Sequence, residues 1–370
     1  MSAENGKVED LLPEGMKLVV EIASYMRSYF ATLVYKRPPC APPEHWSNGL
    51  AADAQCIVKC IVRAQGNPVN VDWDAEHYAD QLLPTERGSS ETRESAWRRA
   101  FPPPKNIQLE SGLKSVENPM TVIDIHGRVL VWYLPKALSP DRQEKFFNAT
   151  KLLDTLFGKG RHADSRRKHK HASINSGWLE LSPGRCKPNY FGLEVSEHLR
   201  ILHEGGAGPS WLTEARESVA LLSASLSILH QGLFSAGVQC MFTMKENEPE
   251  ASVRSVLDHW PSVFNMIEVV SNCEMPRHRD PETRPEWYNL MCASGTYSQA
   301  DFVLDSLGMS FDYAPGSLVA LSGKLTSYSI PKCGTDSVWY AFYMRDSLHK
   351  RFRIENPSWR KHKQFLFDTQ

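Results

Sequence analysis

Residues 264–291 read FNMIEVVSNCEMPRHRDPETRPEWYNLM, residues 305–330 read DSLGMSFDYAPGSLVALSGKLTSYSI, and residues 336–345 read DSVWYAFYMR. The apolar runs in these stretches alternate as strands do, and Pro, Gly, Asp and Asn break them. The first ends in His278-Arg279-Asp280 and the last in Arg345. Residues two apart on an extended strand share a face, so the His278 and Asp280 side chains project together. An imidazole and a carboxylate on one face supply two of the three ligands that hold non-haem iron(II) with open positions. Strand alternation puts Tyr343 and Arg345 on one side, and Phe342 and Met344 on the other. An Arg at the end of an apolar strand is either a surface residue at the strand exit or a bidentate clamp for a carboxylate. The order of the three features favours the clamp. The same His-x-Asp spacing recurs at His162-Ala163-Asp164, where no other feature supports it. No histidine lies between His278 and His349, so a nearby imidazole does not complete the metal set.

Outward from this stretch the chain is ordinary in composition. Of its 370 residues 41% are hydrophobic and 23% charged, as in soluble globular proteins. A formal net charge of −1 means that any attraction to a polyanion must come from a local patch. No apolar run reaches the roughly 20 residues of a membrane span. The acidic, polar start, MSAENGKVEDLLPEG, is not expected to act as a secretory signal. Eight scattered cysteines form no CxxC pair, which speaks against a zinc ribbon and for a reducing compartment. Cys56 and Cys60 read as small buried residues on one helix face.

Helical periodicity covers residues 9–36, stopped by Pro38, Pro39, Pro42 and Pro43, and then 50–65, ended by Gly66, Asn67 and Pro68. Residues 80–118 are polar and Pro-rich and read as a linker or wrapping segment. Two β-rich runs flank His126-Gly127, a hairpin signal. Ser139-Pro140-Asp141 caps a helix over 141–157. Residues 159–178 are the most basic stretch. Lys159, Arg161, Arg166, Arg167, Lys168 and Lys170 there read either as phosphate contacts, or an import signal, or as a solvated loop. A helix is expected over 211–234 with His230 in a structural role at its end, a short one over 253–260, and a peripheral basic tail. Trp287 and Tyr288 read chiefly as packing.

In this order the motifs make residues 119–348 resemble the fungal TET/JBP-like iron(II)- and 2-oxoglutarate-dependent dioxygenases. The carriers are PMTVIDIHGRVLVWYLPKALS, WPSVFNMIEVVSN, HRD at 278–280, EWYNLM, LDSLGMSFDYAPGSLVALSGK and YAFYMRD. The resemblance implies an α+β fold: a double-stranded β-helix (jelly-roll) core flanked by helices. Residues 1–118 would be an N-terminal helical extension and linker, and 349–370 a basic tail. It implies a nuclear enzyme that oxidises the methyl group of methylated bases in duplex DNA, 5-methylcytosine first and N6-methyladenine second. The cofactors would be Fe(II) and 2-oxoglutarate. His278 and Asp280 match the first two iron ligands, Arg345 the cosubstrate clamp, and Asn272 a further cosubstrate contact. The family's second ligating His falls, counted from Gly323, on Tyr328. Three outcomes stay open: a ligating phenolate, a metal held by two protein ligands and water, or a catalytically impaired relative that binds DNA without turnover.

Overall fold

The computed structural model describes residues 12–38, 40–47, 49–80, 116–157, 172–186, 192–200 and 206–366. Its elements in chain order begin with α1 (Glu14–Tyr35), α2 (Leu50–Gln65), β1 (Pro68–Asn70), α3 (Ala75–Asp80), β2 (Met120–Ile123) and β3 (Val129–Leu134). There follow α4 (Pro140–Lys151), α5 (Asp154–Phe157), β4 (Gly177–Leu181), β5 (Arg185–Cys186) and β6 (Leu193–Glu194). A helical stretch holds α6 (Ala207–Glu214), α7 (Arg216–Leu229), α8 (Gln231–Asn247) and α9 (Ala251–His259). The last part is β7 (Met266–Ser271), β8 (Met275–His278), β9 (Asn289–Gly295), β10 (Asp301–Leu304), β11 (Met309–Asp312), β12 (Leu318–Leu321), β13 (Tyr328–Ile330), β14 (Ser337–Tyr343) and α10 (Asp346–Arg351).

Eight strands make one large sheet in the order β1-β2-β3-β12-β9-β14-β7-β4. Four make a smaller one, β11-β10-β13-β8, and β5 pairs with β6 apart from both. Only the β1–β2 pairing is parallel among these. The chain is therefore a mixed α+β protein built on a large multi-stranded sheet.

Period-two alternation divides the apolar side chains between two cores. On β14, Val338, Tyr340 and Phe342 join the helix-side core, whereas Trp339 and Ala341 join a second core between the sheets. On β7, Ile267 and Val269 go to the helices and Val270 to the second core. Phe302 and Phe311 of the smaller sheet meet Val131, Met291 and Val319 of the larger one in that second core. Stacking of Tyr133 on Phe311, with centroids 4.6 Å apart, links the sheets directly.

Helices α1, α2 and α7 form the layer behind the large sheet: α1 packs on α7 and α2, and α2 on β3. Helix α7 is buried continuously from Ser218 to Leu229, which its Ser, Ala and Leu composition allows. Gly15 lets α1 approach the next layer: a Cβ there would lie 2.4 Å from the Trp260 carbonyl oxygen.

Sequence periodicity locates most helices and misses their breaks. The helix expected over 211–234 is three helices, interrupted at Ala215 and at His230. His230 leaves helical geometry (φ −156°, ψ 82°), and its Nδ1 accepts a 3.2 Å hydrogen bond from the Leu233 N–H, which caps α8. The helix expected over 141–157 ends at Lys151 and restarts at Asp154. Its start is as expected: Ser139 accepts from the Arg142 N–H at 3.2 Å, and Pro140 is the first helical residue. The tail is not peripheral. Trp359 and Arg360 are buried, and the Val129 N–H donates to the Arg360 carbonyl at 2.8 Å. That bond is made by the first residue of β3, next to an isolated antiparallel bridge between Arg128 and Lys361. The basic residues Lys159 to Lys170 and the His162-Asp164 pair lie outside the described residues.

Candidate active site

The site is assembled where β8 and β13 of the smaller sheet meet β7, β9 and β14 of the larger one. β8 is the outermost strand of its sheet, a position that tolerates Pro276. Tyr328 of β13 stands directly opposite His278 of β8 in the antiparallel register, with ring centroids 4.4 Å apart. His278 Nδ1 lies 2.7 Å from the Pro276 carbonyl oxygen. A carbonyl only accepts, so Nδ1 carries a proton, and in the neutral ring Nε2 is the nitrogen with the lone pair. Metal-binding histidines use this arrangement, in which one ring nitrogen is tied to the backbone and the other left for the ion.

Asp280 is anchored from both sides. Its N–H donates to the Gly323 carbonyl at 2.9 Å. Its Oδ2 accepts from the Tyr328 hydroxyl at 3.0 Å and also from the Asn289 side-chain amide. Burial raises the pKa of the Asp280 carboxyl, outweighing the His278 charge and these two hydrogen bonds, which lower it. Burial, and next the Asp280 and Glu268 carboxylates, hold the Tyr328 phenol well above its ordinary value. Tyr328 is therefore a neutral O–H donor aimed at a carboxylate, not a phenolate. Among the described residues, no three His, Cys, Asp or Glu side chains are grouped so as to hold a metal ion. His278 and Asp280 fit an iron(II) ion as two protein ligands. Tyr328 donates its O–H to Asp280 Oδ2, a hydrogen bond that a ligating phenolate would have to give up.

Arg345 sits just beyond β14 and continues the strand's site-facing side. Its N–H donates to Asn265 Oδ1 at 3.1 Å, which fixes the backbone at the strand exit. The guanidinium pairs with Glu180 of β4 at 3.3 Å and with Glu282. Burial alone would lower its pKa, but Tyr343, Glu282 and Glu180 more than offset this and raise it. Glu268 of β7 pairs in register with both Ala341 and Glu180. Burial, followed by the Asp280 and Glu180 carboxylates, pushes Glu268 up to about 8, with Arg345 pulling the other way. Its carboxyl thus holds a proton at neutral pH. Asn272 is placed differently: its Nδ2 donates to the Ile174 carbonyl at 2.7 Å, and its Oδ1 accepts from the Ser337 N–H at 3.1 Å. Both ends of that amide serve the backbone where β7 ends.

His278 and Asp280 each contact Tyr328, so the three residues lie together in the structure. Arg345 shares the field of Glu268 with Asp280. Sequence reading missed Glu180, Glu268, Glu282 and Asn289. Glu268 was findable as the one charge inside the apolar run of β7, at a position whose parity faces the smaller sheet. Asn289 gives no such signal. Trp287 and Tyr288 pack: the Trp287 indole donates to Asn356 Oδ1 and the Tyr288 hydroxyl to the Val129 carbonyl, each at 2.7 Å.

No family profile matches the chain, and no curated protein matches it. Among solved structures, NgTET1 in complex with 5mC DNA overlays with a TM-score of 0.41 and 13% sequence identity. The overlay covers 65% of this chain and 81% of that one. The chemistry of the site rests on its own residues.

Proposed function

We propose that this site is an Fe(II)- and 2-oxoglutarate-dependent oxygenase centre with two protein ligands, set in a double-stranded β-helix core. The observation that carries the reading is the His278 ring: its Nδ1 is committed to the Pro276 carbonyl, which leaves Nε2 as the nitrogen open to an ion, and the same ring acts electrostatically on the Asp280 carboxyl. His278 Nε2 and Asp280 Oδ1 would hold the ion, since Oδ2 already accepts two hydrogen bonds. Arg345 would hold the distal carboxylate of 2-oxoglutarate. When bound, iron with 2-oxoglutarate and oxygen supplies oxidation of an unactivated C–H bond. The chain's residues supply position: Tyr328 and Asn289 orient Asp280, and Arg345 orients the cosubstrate once Glu282 yields. The substrate in this reading is a methylated base in duplex DNA, 5-methylcytosine first, which has to leave the base stack to reach the centre. A nuclear site of action belongs to the same reading, as does phosphate contact by the basic residues 159–170.

A second reading is favoured by the Tyr328–Asp280 hydrogen bond: a relative that binds DNA without turnover. One experiment separates the two. The full chain is incubated with Fe(II), 2-oxoglutarate and duplex containing 5-methylcytosine, while succinate and oxidised base are followed. Slow product formation is expected, rising about tenfold or more in Tyr328→His, which supplies a third protein ligand and a second imidazole. Metal and DNA binding without succinate, in the parent and the variant alike, would rule out the first reading.

A further inference from the structure

We propose that Asn289 is the positioning residue of this site: with Gly323 it forms a clamp that turns the Asp280 carboxylate so that a single oxygen, Oδ1, is offered to a divalent cation. The proposal rests on the metal-site reading above. Asn289 is completely buried at the start of β9 and pairs in register with Leu321 of β12, so its backbone is fixed in the middle of the large sheet. Its Nδ2 donates to Asp280 Oδ2, the oxygen that also accepts from Tyr328. The opposite amide orientation would set two acceptor oxygens against each other, so chemistry fixes which end of Asn289 faces Asp280. Its Oδ1 has no hydrogen-bond partner among the described residues, so a buried acceptor is left for a donor brought in with the ligand.

Gly323 completes the clamp. Its carbonyl accepts from the Asp280 N–H at 2.9 Å. A Cβ at this position would lie 2.3 Å from Asn289 Nδ2 and 2.8 Å from Asp280 Oδ2. The glycine is thus the gap through which amide and carboxylate meet. Two donors on one carboxylate oxygen leave the other as the only one with both lone pairs available, which makes a one-oxygen ligand. Carboxylates that ligate metals are hydrogen-bonded in this way, and loss of such partners costs about 10–100-fold in metal affinity.

The test is Mn(II) affinity of the full chain by calorimetry, together with the thermal midpoint of the metal-free protein. Mn(II) is the probe because it takes the same oxygen and nitrogen donors without oxidising. Asn289→Leu removes the donor at similar volume. Gly323→Ala displaces the amide from outside the strand, and it provides an independent route if Asn289→Leu fails to fold. Each is expected to weaken Mn(II) about 10–100-fold. A merely structural role would lower the thermal midpoint and leave Mn(II) affinity within about twofold in whichever variant folds, and that result overturns the proposal. A parent chain that binds no Mn(II) overturns the metal-site reading and the role of Asn289 with it. A parent that binds Mn(II), with variants binding equally well, overturns the role alone.

Discussion

Arg345 carries its own competitors. Glu180 and Glu282 occupy the guanidinium that a dicarboxylate would need, and Glu282 is the easier to displace because its side chain is 55% exposed. An exposed ion pair is worth at most about 1 kcal/mol. Glu282→Gln is therefore expected to tighten 2-oxoglutarate about two- to fivefold in the presence of Mn(II), as measured by calorimetry. Unchanged or weaker binding would mean that Arg345 is not the carboxylate clamp. At this scale the sequence revealed the residues whose spacing matters. His278 and Asp280 stand two apart on a strand, and Arg345 ends one, and both patterns survive in any register. Glu180, Glu282 and Asn289 reach the site from separate segments, and only tertiary structure brings those together. Tyr328 was legible as a position, but its role was not. Whether a tyrosine there ligates or donates depends on the neighbouring Asp280 oxygen, which strand periodicity does not encode.

Between elements, the buried pair Arg142–Asp53 ties α4 to α2. The Arg142 Nε lies 2.7 Å from Asp53 Oδ2, and the two side chains are 2% and 4% exposed. Arg142 also reaches Glu217 at 3.1 Å and so takes in α7. Ser139, the cap of α4, bonds to Asp53 as well. Removing one partner from a buried pair strands the other charge, at a cost of about 3–5 kcal/mol. Asp53→Ala should therefore lose that much stability in urea titration, whereas a loss under about 1 kcal/mol would mean that Arg142 finds other partners. The helices themselves were read well from period and from Pro, Gly and Ser punctuation. Their interruptions were not. A side chain that replaces a backbone bond, as His230 does for α8, keeps the apolar period running through the break. The three-residue strand β1 was missed because Pro68-Val69-Asn70 has no alternation to detect; its pairing with β2 alone defines it.

For the whole molecule, buried ionisable groups set an optimum pH. Burial depresses His230 to about 3 and His349 to about 4, against 6.5 for an ordinary imidazole. As pH falls below 6.5 the unfolded chain takes up protons that the fold refuses. Stability therefore falls, by up to about 1.4 kcal/mol per pH unit for each histidine. Glu268 acts in the other sense. Its folded value of about 8 exceeds the ordinary 4.5, so stability is lost as pH rises through that interval. The thermal midpoint is expected to peak near pH 6.5 and decline on both sides. Glu268→Gln should flatten the decline between pH 6.5 and 8.5; melts of the parent and variant across that range check it, and an unchanged alkaline limb would refute the assignment to Glu268. The mixed α+β class was anticipated as what the resemblance to the dioxygenases implies, and the structure shows it. The order of eight strands in one sheet was not, because apart from β1–β2 and the β2–β3 hairpin every pairing across that sheet joins strands that are not neighbours in the chain.

Strand β14 divides its side chains between two clients. Tyr340 is wedged among Phe146, Trp211 and Thr150 on the helix side, while Trp339 and Ala341 face the other way, in step with Arg345. Inserting or deleting one residue between Trp339 and Arg345 would move the guanidinium into an oily layer and aromatic rings into the site. Point substitutions along this segment can be absorbed one at a time, but its residue count cannot change by one. Drift in length is therefore confined to the loops on either side.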